Sequence, residues 1–249
     1  MTDATRRARF RRPQFVIASI VLLGAILVSQ TLMAGGAVVA LKGKVVGWEK
    51  LLPQVYAEAS KNDARRYNWR EPSPTVKQDF RKLSANVSRD VCIVALSAAG
   101  APAHEPFVVK ITGGRLTPST LVLSPGSRLS IKNVDPFPHE LYEVGNEKWA
   151  ANSVAPGSSR EWAATDPGVH VIRDQLFGSV VFYVVVDPGA VEFSLPDREG
   201  AFSMSLPPGD YTLKAFFDGK AAGKESPVHV GNAGFEMKEP MAVAGGDSK

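Results

Sequence analysis

From residue 91 onward the chain alternates short apolar runs with Gly, Pro, Asn and Ser. The runs cover 91–97, 106–112, 120–123, 128–133, 139–144, 168–173 and 180–186, each of strand length. Short apolar segments with such regular punctuation predict an all-β sandwich or barrel. Ser124-Pro-Gly-Ser127 and Val154-Ala-Pro-Gly-Ser158 read as turns. Upstream, 42–47 reads as another short strand. In 48–59, Leu51, Leu52, Val55 and Tyr56 recur at helical spacing, with Pro53 near the start where a helix tolerates it. Downstream, Phe202 and Leu206 share one face, Pro207-Pro208-Gly209 turns, and Tyr211 and Leu213 return on the core side, which predicts a hairpin. Strands at 215–217 and 227–230 follow. The segment 190–232 is too short to bury a core of its own, so it is expected to pack with strands from 42–112 as one body. The tail from 237 is small and polar and is expected to fray.

The N-terminal pattern is different. Residues 13–41 are 29 positions without a charged side chain. As a helix, that run spans roughly 43 Å at about 1.5 Å per residue, more than a hydrocarbon layer of about 30 Å requires. Five arginines (Arg6, Arg7, Arg9, Arg11, Arg12) against Asp3 precede it. By the positive-inside rule, residues 1–12 would be cytoplasmic and the bulk periplasmic, making a single-pass inner-membrane protein with one signal anchor. A cleaved signal peptide, with Val38-Val-Ala40 as cleavage site, is the alternative.

This arrangement changes the meaning of the charge. The net charge of +4 and basic pI suggest an anionic partner until the first twelve residues are set aside, which leaves 24 bases and 24 acids. Nucleic acid is therefore not an expected partner. Within the remainder, 61–90 holds eight bases and four acids, whereas 134–200 holds eleven acids and four bases. Arg65, Arg66, Tyr67, Trp69 and Arg70 interleave basic and aromatic groups, and make 48–90 an insertion with partner-binding candidates. The single cysteine, Cys92, lies in an apolar run and cannot form an internal disulfide. No nucleophile elbow, phosphate loop or zinc-protease motif occurs, so no catalytic residue is assigned and no enzyme is expected.

Two motifs carry a resemblance. One is Ser130-Ile-Lys-Asn133-Val-Asp135-Pro-Phe-Pro-His139-Glu-Leu, preceded by Pro118 to Leu129. The other is Asp166-Pro-Gly168-Val-His170-Val-Ile-Arg-Asp174-Gln-Leu-Phe177-Gly-Ser-Val180, closed by Val184-Val-Val186. Together they resemble the cupredoxin family, in particular its methylamine-utilisation-like periplasmic branch. Asp197-Arg-Glu-Gly200 through Lys214 is similar to a carboxypeptidase-regulatory or transthyretin-like segment. The resemblance implies a cupredoxin-like Greek-key sandwich at 113–188, leading strands at 42–112, a small second β-sandwich completed by 189–232, and a flexible tail at 233–249, all behind the transmembrane helix.

In the family the early turn carries a histidine ligand, and the later hairpin carries a cysteine, a histidine and usually a methionine. Aligned without a gap, these positions are His139, Asp174, Phe177 and Val180. Phenylalanine and valine offer no lone pair, and a carboxylate is a hard donor where copper in a blue site is held by thiolate and imidazole. The resemblance therefore implies no cofactor, copper included. His170 lies four residues before Asp174, on the same face of an extended strand, so His139, His170 and Asp174 form a conceivable site for zinc or Cu(II). A buried His–Asp hydrogen bond accounts for the same residues without metal.

The leading expectation is a membrane-anchored periplasmic module with a protein partner in the cell envelope. A copper-binding electron-transfer or copper-handling protein is the second reading. A carbohydrate-binding module using Trp149 and Trp162 is the third.

Overall fold

The computed structural model describes residues 38–51, 85–101 and 106–244. The described part is built almost wholly of strands, numbered here in chain order, and forms four sheets. Sheet I holds β3 (Phe107–Ile111), β4 (Leu116–Thr117), β6 (Arg128–Asn133) and β9 (Ser159–Ala163), ordered β4-β3-β6-β9. Sheet II holds β5 (Thr120–Leu123), β7 (His139–Glu143), β8 (Asn152–Val154), β10 (Gly168–Asp174) and β11 (Val181–Val186), ordered β5-β11-β10-β7-β8. Sheet III holds β2 (Val91–Leu96), β12 (Ala190–Ser194), β14 (Gly209–Phe217) and β15 (Lys220–Val230), ordered β12-β2-β14-β15. Sheet IV centres on β1 (Val39–Val46), flanked by β13 (Ala201–Leu206), β16 (Phe235–Glu236) and β17 (Met241–Ala242). One helical turn, α1 (Val87–Asp90), leads into β2.

Sheets I and II face each other over one core, where Ile111, Leu129, Ile131 and Trp162 meet Leu141, Ile172, Phe182 and Val184. Sheets III and IV enclose a second, with Leu41, Val45, Met204 and Leu206 against Ile93, Leu213 and Val230. The two cores share a wall. Along β2, Cys92 and Val94 belong to the first core, while Val91, Ile93 and Ala95 belong to the second. Both faces of β2 are therefore dry, which explains an uninterrupted apolar sequence where a half-solvated strand would alternate. β2, β12 and β14 lie against β5, and all four residues of β5 are buried.

Several sequence expectations change. The anchor segment was bounded at residue 41, but 39–41 are paired in β1 against β13, with Leu41 fully buried. The 201–213 stretch is not a hairpin. β13 pairs with β1, whereas β14 pairs with β2 and β15, so the chain crosses from sheet IV to sheet III at Pro207-Pro208. Neither proline has an N–H to give a ladder, and the Tyr211 hydroxyl donates to the Pro207 carbonyl at 2.8 Å, fastening the corner. The return through 215–230 is one long hairpin, turning at Asp218-Gly219 where both φ angles are positive. Residues 241–243 do not fray, since β17 pairs with β1 while Met241 and Val243 are buried in the second core. Trp48–Lys50 forms a single 3-10 turn. The rest of the 48–59 helix, residues 13–37, Arg65, Arg66, Tyr67, Trp69 and Arg70 lie outside the described residues. Among the described residues no helix is long and apolar enough to cross a membrane.

Candidate functional site

The end of the first sandwich is closed by three connections: the β3–β4 turn, the β6–β7 loop and the β10–β11 loop. The β6–β7 loop contains Pro136 and Pro138, so few of its backbone groups can donate, and it is ordered from its flanks instead. Asn133, fully buried, donates through Nδ2 to the carbonyls of Phe137 (2.8 Å) and Val154 (2.9 Å). Its Oδ1 accepts from Asp135 N at 2.9 Å. Asp135 then reaches the β3–β4 turn, accepting from the backbone N–H groups of Gly113 (2.5 Å) and Gly114 (2.8 Å). Both glycines have positive φ, the conformation that aims two successive N–H groups at one carboxylate.

His139, with no solvent exposure, starts β7 and sits between two carboxylates. Its Nε2 lies 3.1 Å from Asp135 Oδ2, and its Nδ1 makes a very short contact with Asp174 Oδ2. The other Asp174 oxygen accepts from Glu140 N (3.1 Å) and Leu176 N (2.8 Å). Hydrogen bonds on both ring nitrogens need a hydrogen on each, unless one carboxyl carries it instead. Burial alone would raise the pKa of Asp135, but the Gly114 and Gly113 amides and His139 outweigh it and hold the carboxyl below its ordinary range.

Phe177 lies against the same imidazole, with ring centroids 5.1 Å apart, and Phe137 contacts both rings at 5.2 and 4.8 Å. Val180 is fully buried in the first core, and its N–H donates to the Phe177 carbonyl at 3.0 Å. Asp174 and Phe177 thus surround His139 directly, while Val180 closes the loop behind Phe177.

His170 goes elsewhere. The register pairs Ile172 with Glu143 and Asp174 with Leu141, which puts His170 beside Glu143 at one end of the β7–β10 pair and Asp174 beside His139 at the other. Histidine and carboxylate are exchanged between the strands, with the fully buried Leu141 and Ile172 between them. The proposed convergence of His139, His170 and Asp174 on one ion is therefore absent. His170 Nδ1 is 2.6 Å from Glu143 Oε1, and its Nε2 is 2.8 Å from the Asp166 carbonyl. Glu143 also accepts from Trp162 Nε1 and Asn146 Nδ2, each at 2.8 Å. Against the opposing effect of burial, Trp162, His170 and Asn146 keep this carboxyl below its ordinary range.

Asp135 and Glu143 are the site residues that sequence reasoning missed. Asp135 had a local cue, four residues before His139 and downstream of the Gly113-Gly114 pair. Glu143 had none, because its partners come from β9, β10 and the loop after β7.

The donors around His139 do not fit a blue-copper centre. Both ring nitrogens already face carboxylates on opposite sides of the ring, so the carboxylates cannot converge on one ion with it, and the neighbouring position is an aromatic ring. Among the described residues no three His, Cys, Asp or Glu side chains are grouped to hold a metal. Cys92 lies on β2, between the two cores, and burial pushes its thiol up to about 12 despite a backbone hydrogen bond at Val122.

No protein-family model matches the sequence, and no curated protein does. Some solved structures are similar over part of the chain. A reduced-state amicyanin variant is 19% identical, with 39% of this chain covering 100% of that one at a TM-score of 0.30. A purple cupredoxin from Nitrosopumilus maritimus is 18% identical, with 32% of this chain covering 99% of that one at a TM-score of 0.28. A copper-containing nitrite reductase from Thermus scotoductus is 20% identical, with 37% of this chain covering 25% of that one at a TM-score of 0.30.

Proposed function

We propose that the chain is a membrane-anchored, non-enzymatic periplasmic protein. In this reading a cupredoxin-like sandwich without a blue-copper site serves as a structural or interaction module of an envelope complex. The observation that carries the reading is the way the loop end closes around His139: Asp174 and Asp135 hold it from both sides, and Phe177 packs on its ring. In a blue-copper relative a metal ion would tie the corresponding loops together. Here hydrogen bonds and an aromatic cluster do so, which leaves a rigid body with no carrier at its tip.

The carbohydrate-binding reading draws on Trp149 and Trp162, and neither offers a free ring. Trp162 is 3% exposed, and the Arg160 guanidinium lies 3.6 Å from the Trp149 ring centroid. Against the copper reading, Phe177 and Val180 at the aligned positions offer no lone pair.

The test is metal analysis and visible absorption of the full chain purified in detergent, together with the variant D174C/F177H/V180M. The native chain is expected to bring no stoichiometric copper and to show no intense thiolate band after Cu(II) addition, whereas the variant acquires both. A native chain with stoichiometric copper and a thiolate band overturns the reading. A variant that folds but takes up no copper overturns the position-by-position match on which it rests.

A further inference from the structure

We infer that the chain associates with a second copy of itself through the uncovered half of the outer face of sheet II, on the opposite side of β7 and β10 from the His139 and Asp174 side chains. Residues of β7 and β10 alternate strictly. His139, Leu141 and Glu143 face inward on one strand, and Ile172 and Asp174 on the other. The outward set is therefore Glu140, Tyr142 and Val144 beside Val169, Val171 and Arg173. A solvated antiparallel face carries polar groups at such positions. Here one end of the strip is apolar, with Val144 51% and Val169 55% exposed.

The same sheet face is already an interface on its other half. Sheet III packs over β5, and its hairpin turn ends against β10 and β11: a Cβ added at Gly219 would lie 2.8 Å from Val169 and 3.0 Å from Tyr183. Cover stops there, one strand short of β7. The strip continues a sheet-on-sheet contact that this chain leaves unfinished.

Its charges select the occupant. Arg173 is directly opposite Tyr142 in register, and Glu140 lies one pleat further along β7. Arg173 and Glu140 make no ion pair with each other or with any other described residue, although Arg173 is exposed and Glu140 partly so. Consider a two-fold axis parallel to the strands, between β7 and β10. It places β7 of each copy over β10 of the other. The Tyr142 ring then meets the partner's Arg173, with Glu140 close enough to pair with that guanidinium, and Val144 meets the partner's Val171. Each contact occurs twice, as an isologous interface requires. Arginine suits this place because its planar head stacks on an aromatic ring while pairing with a carboxylate. A face bearing charge of one sign would call for a foreign partner; this one complements itself.

The experiment is sedimentation of the full chain in detergent across the micromolar range. The native chain is expected to be a dimer. V144K is expected to weaken association at least tenfold, a change of about 1.4 kcal/mol, with an unchanged far-ultraviolet spectrum because the Val144 side chain points to solvent. R173E and E140R are each expected to weaken it, and E140R/R173E to restore it, since only a self-complementary strip lets two reversals in one chain cancel. A native chain that stays monomeric throughout the range, a dimer indifferent to V144K, or single reversals that the double variant fails to rescue each overturns the inference.

Discussion

At the scale of single residues, the loop end depends on polar groups that are satisfied only together. Asp174 holds His139 and accepts from two backbone N–H groups, so D174A strands the buried imidazole and two part-buried N–H groups at once. Unpaired buried donors and charges cost far more than an exposed hydrogen bond returns. D174A is expected to lose about 3 kcal/mol or more in urea unfolding, and D174N, which keeps an acceptor, clearly less. A second expectation concerns pH. Asp135 and Glu143 are held below their ordinary range in the fold, so the unfolded chain takes up protons first as pH drops. Their contribution is fully present above the unfolded values. It is lost as pH falls from about 4 down through the lowered folded values. Thermal denaturation from pH 6 to 2 should show that acid loss, and D135N/E143Q should flatten it, from a lower starting stability. Part of this was legible in the sequence. The gap-free match placed Asp174 and Phe177 around His139 because loop lengths keep register. Glu143 as the partner of His170 was not legible, because a carboxylate two pleats away on another strand leaves no local trace.

At the scale of elements, β2 has the most to explain. Its apolar run was visible in the sequence, but not its place between two cores, since periodicity cannot tell a strand buried on both faces from other apolar segments. The Pro207-Pro208 corner was misread for a related reason. Alternation told correctly which side chains are buried, Phe202 and Leu206 before it, Tyr211 and Leu213 after it. It could not tell that the two strands belong to different sheets, because a hairpin and a corner bury the same alternating set. Cys92, on the first-core side of β2, gives this element a chemical probe. With the thiol buried and its pKa raised to about 12, the native protein is expected to resist iodoacetamide at pH 8 and to react once unfolded. Rapid labelling of native protein would mean that sheet III lifts away from β5.

At the scale of the whole molecule, the shared wall makes the two sandwiches one cooperative unit. Sheet III presents one face to each core, and β12, β14 and β15 come from the C-terminal third of the chain while β2 comes from before the first sandwich. A chain ending at Asp187 keeps β2 but loses every other strand of sheet III, which bares Val91, Ile93 and Ala95 and uncovers β5. Such a fragment is not expected to fold, although it contains all of sheets I and II. Two truncations in the full-length fold make the same point quantitatively. I131A opens a cavity in the first core and I93A one in the second, each costing about 2–5 kcal/mol. If the cores melted separately, each variant would shift only its own transition and leave the other midpoint in place. Because β2 cannot leave one core without leaving the other, both variants should show a single transition that moves as a whole, with tryptophan fluorescence and far-ultraviolet signals changing together.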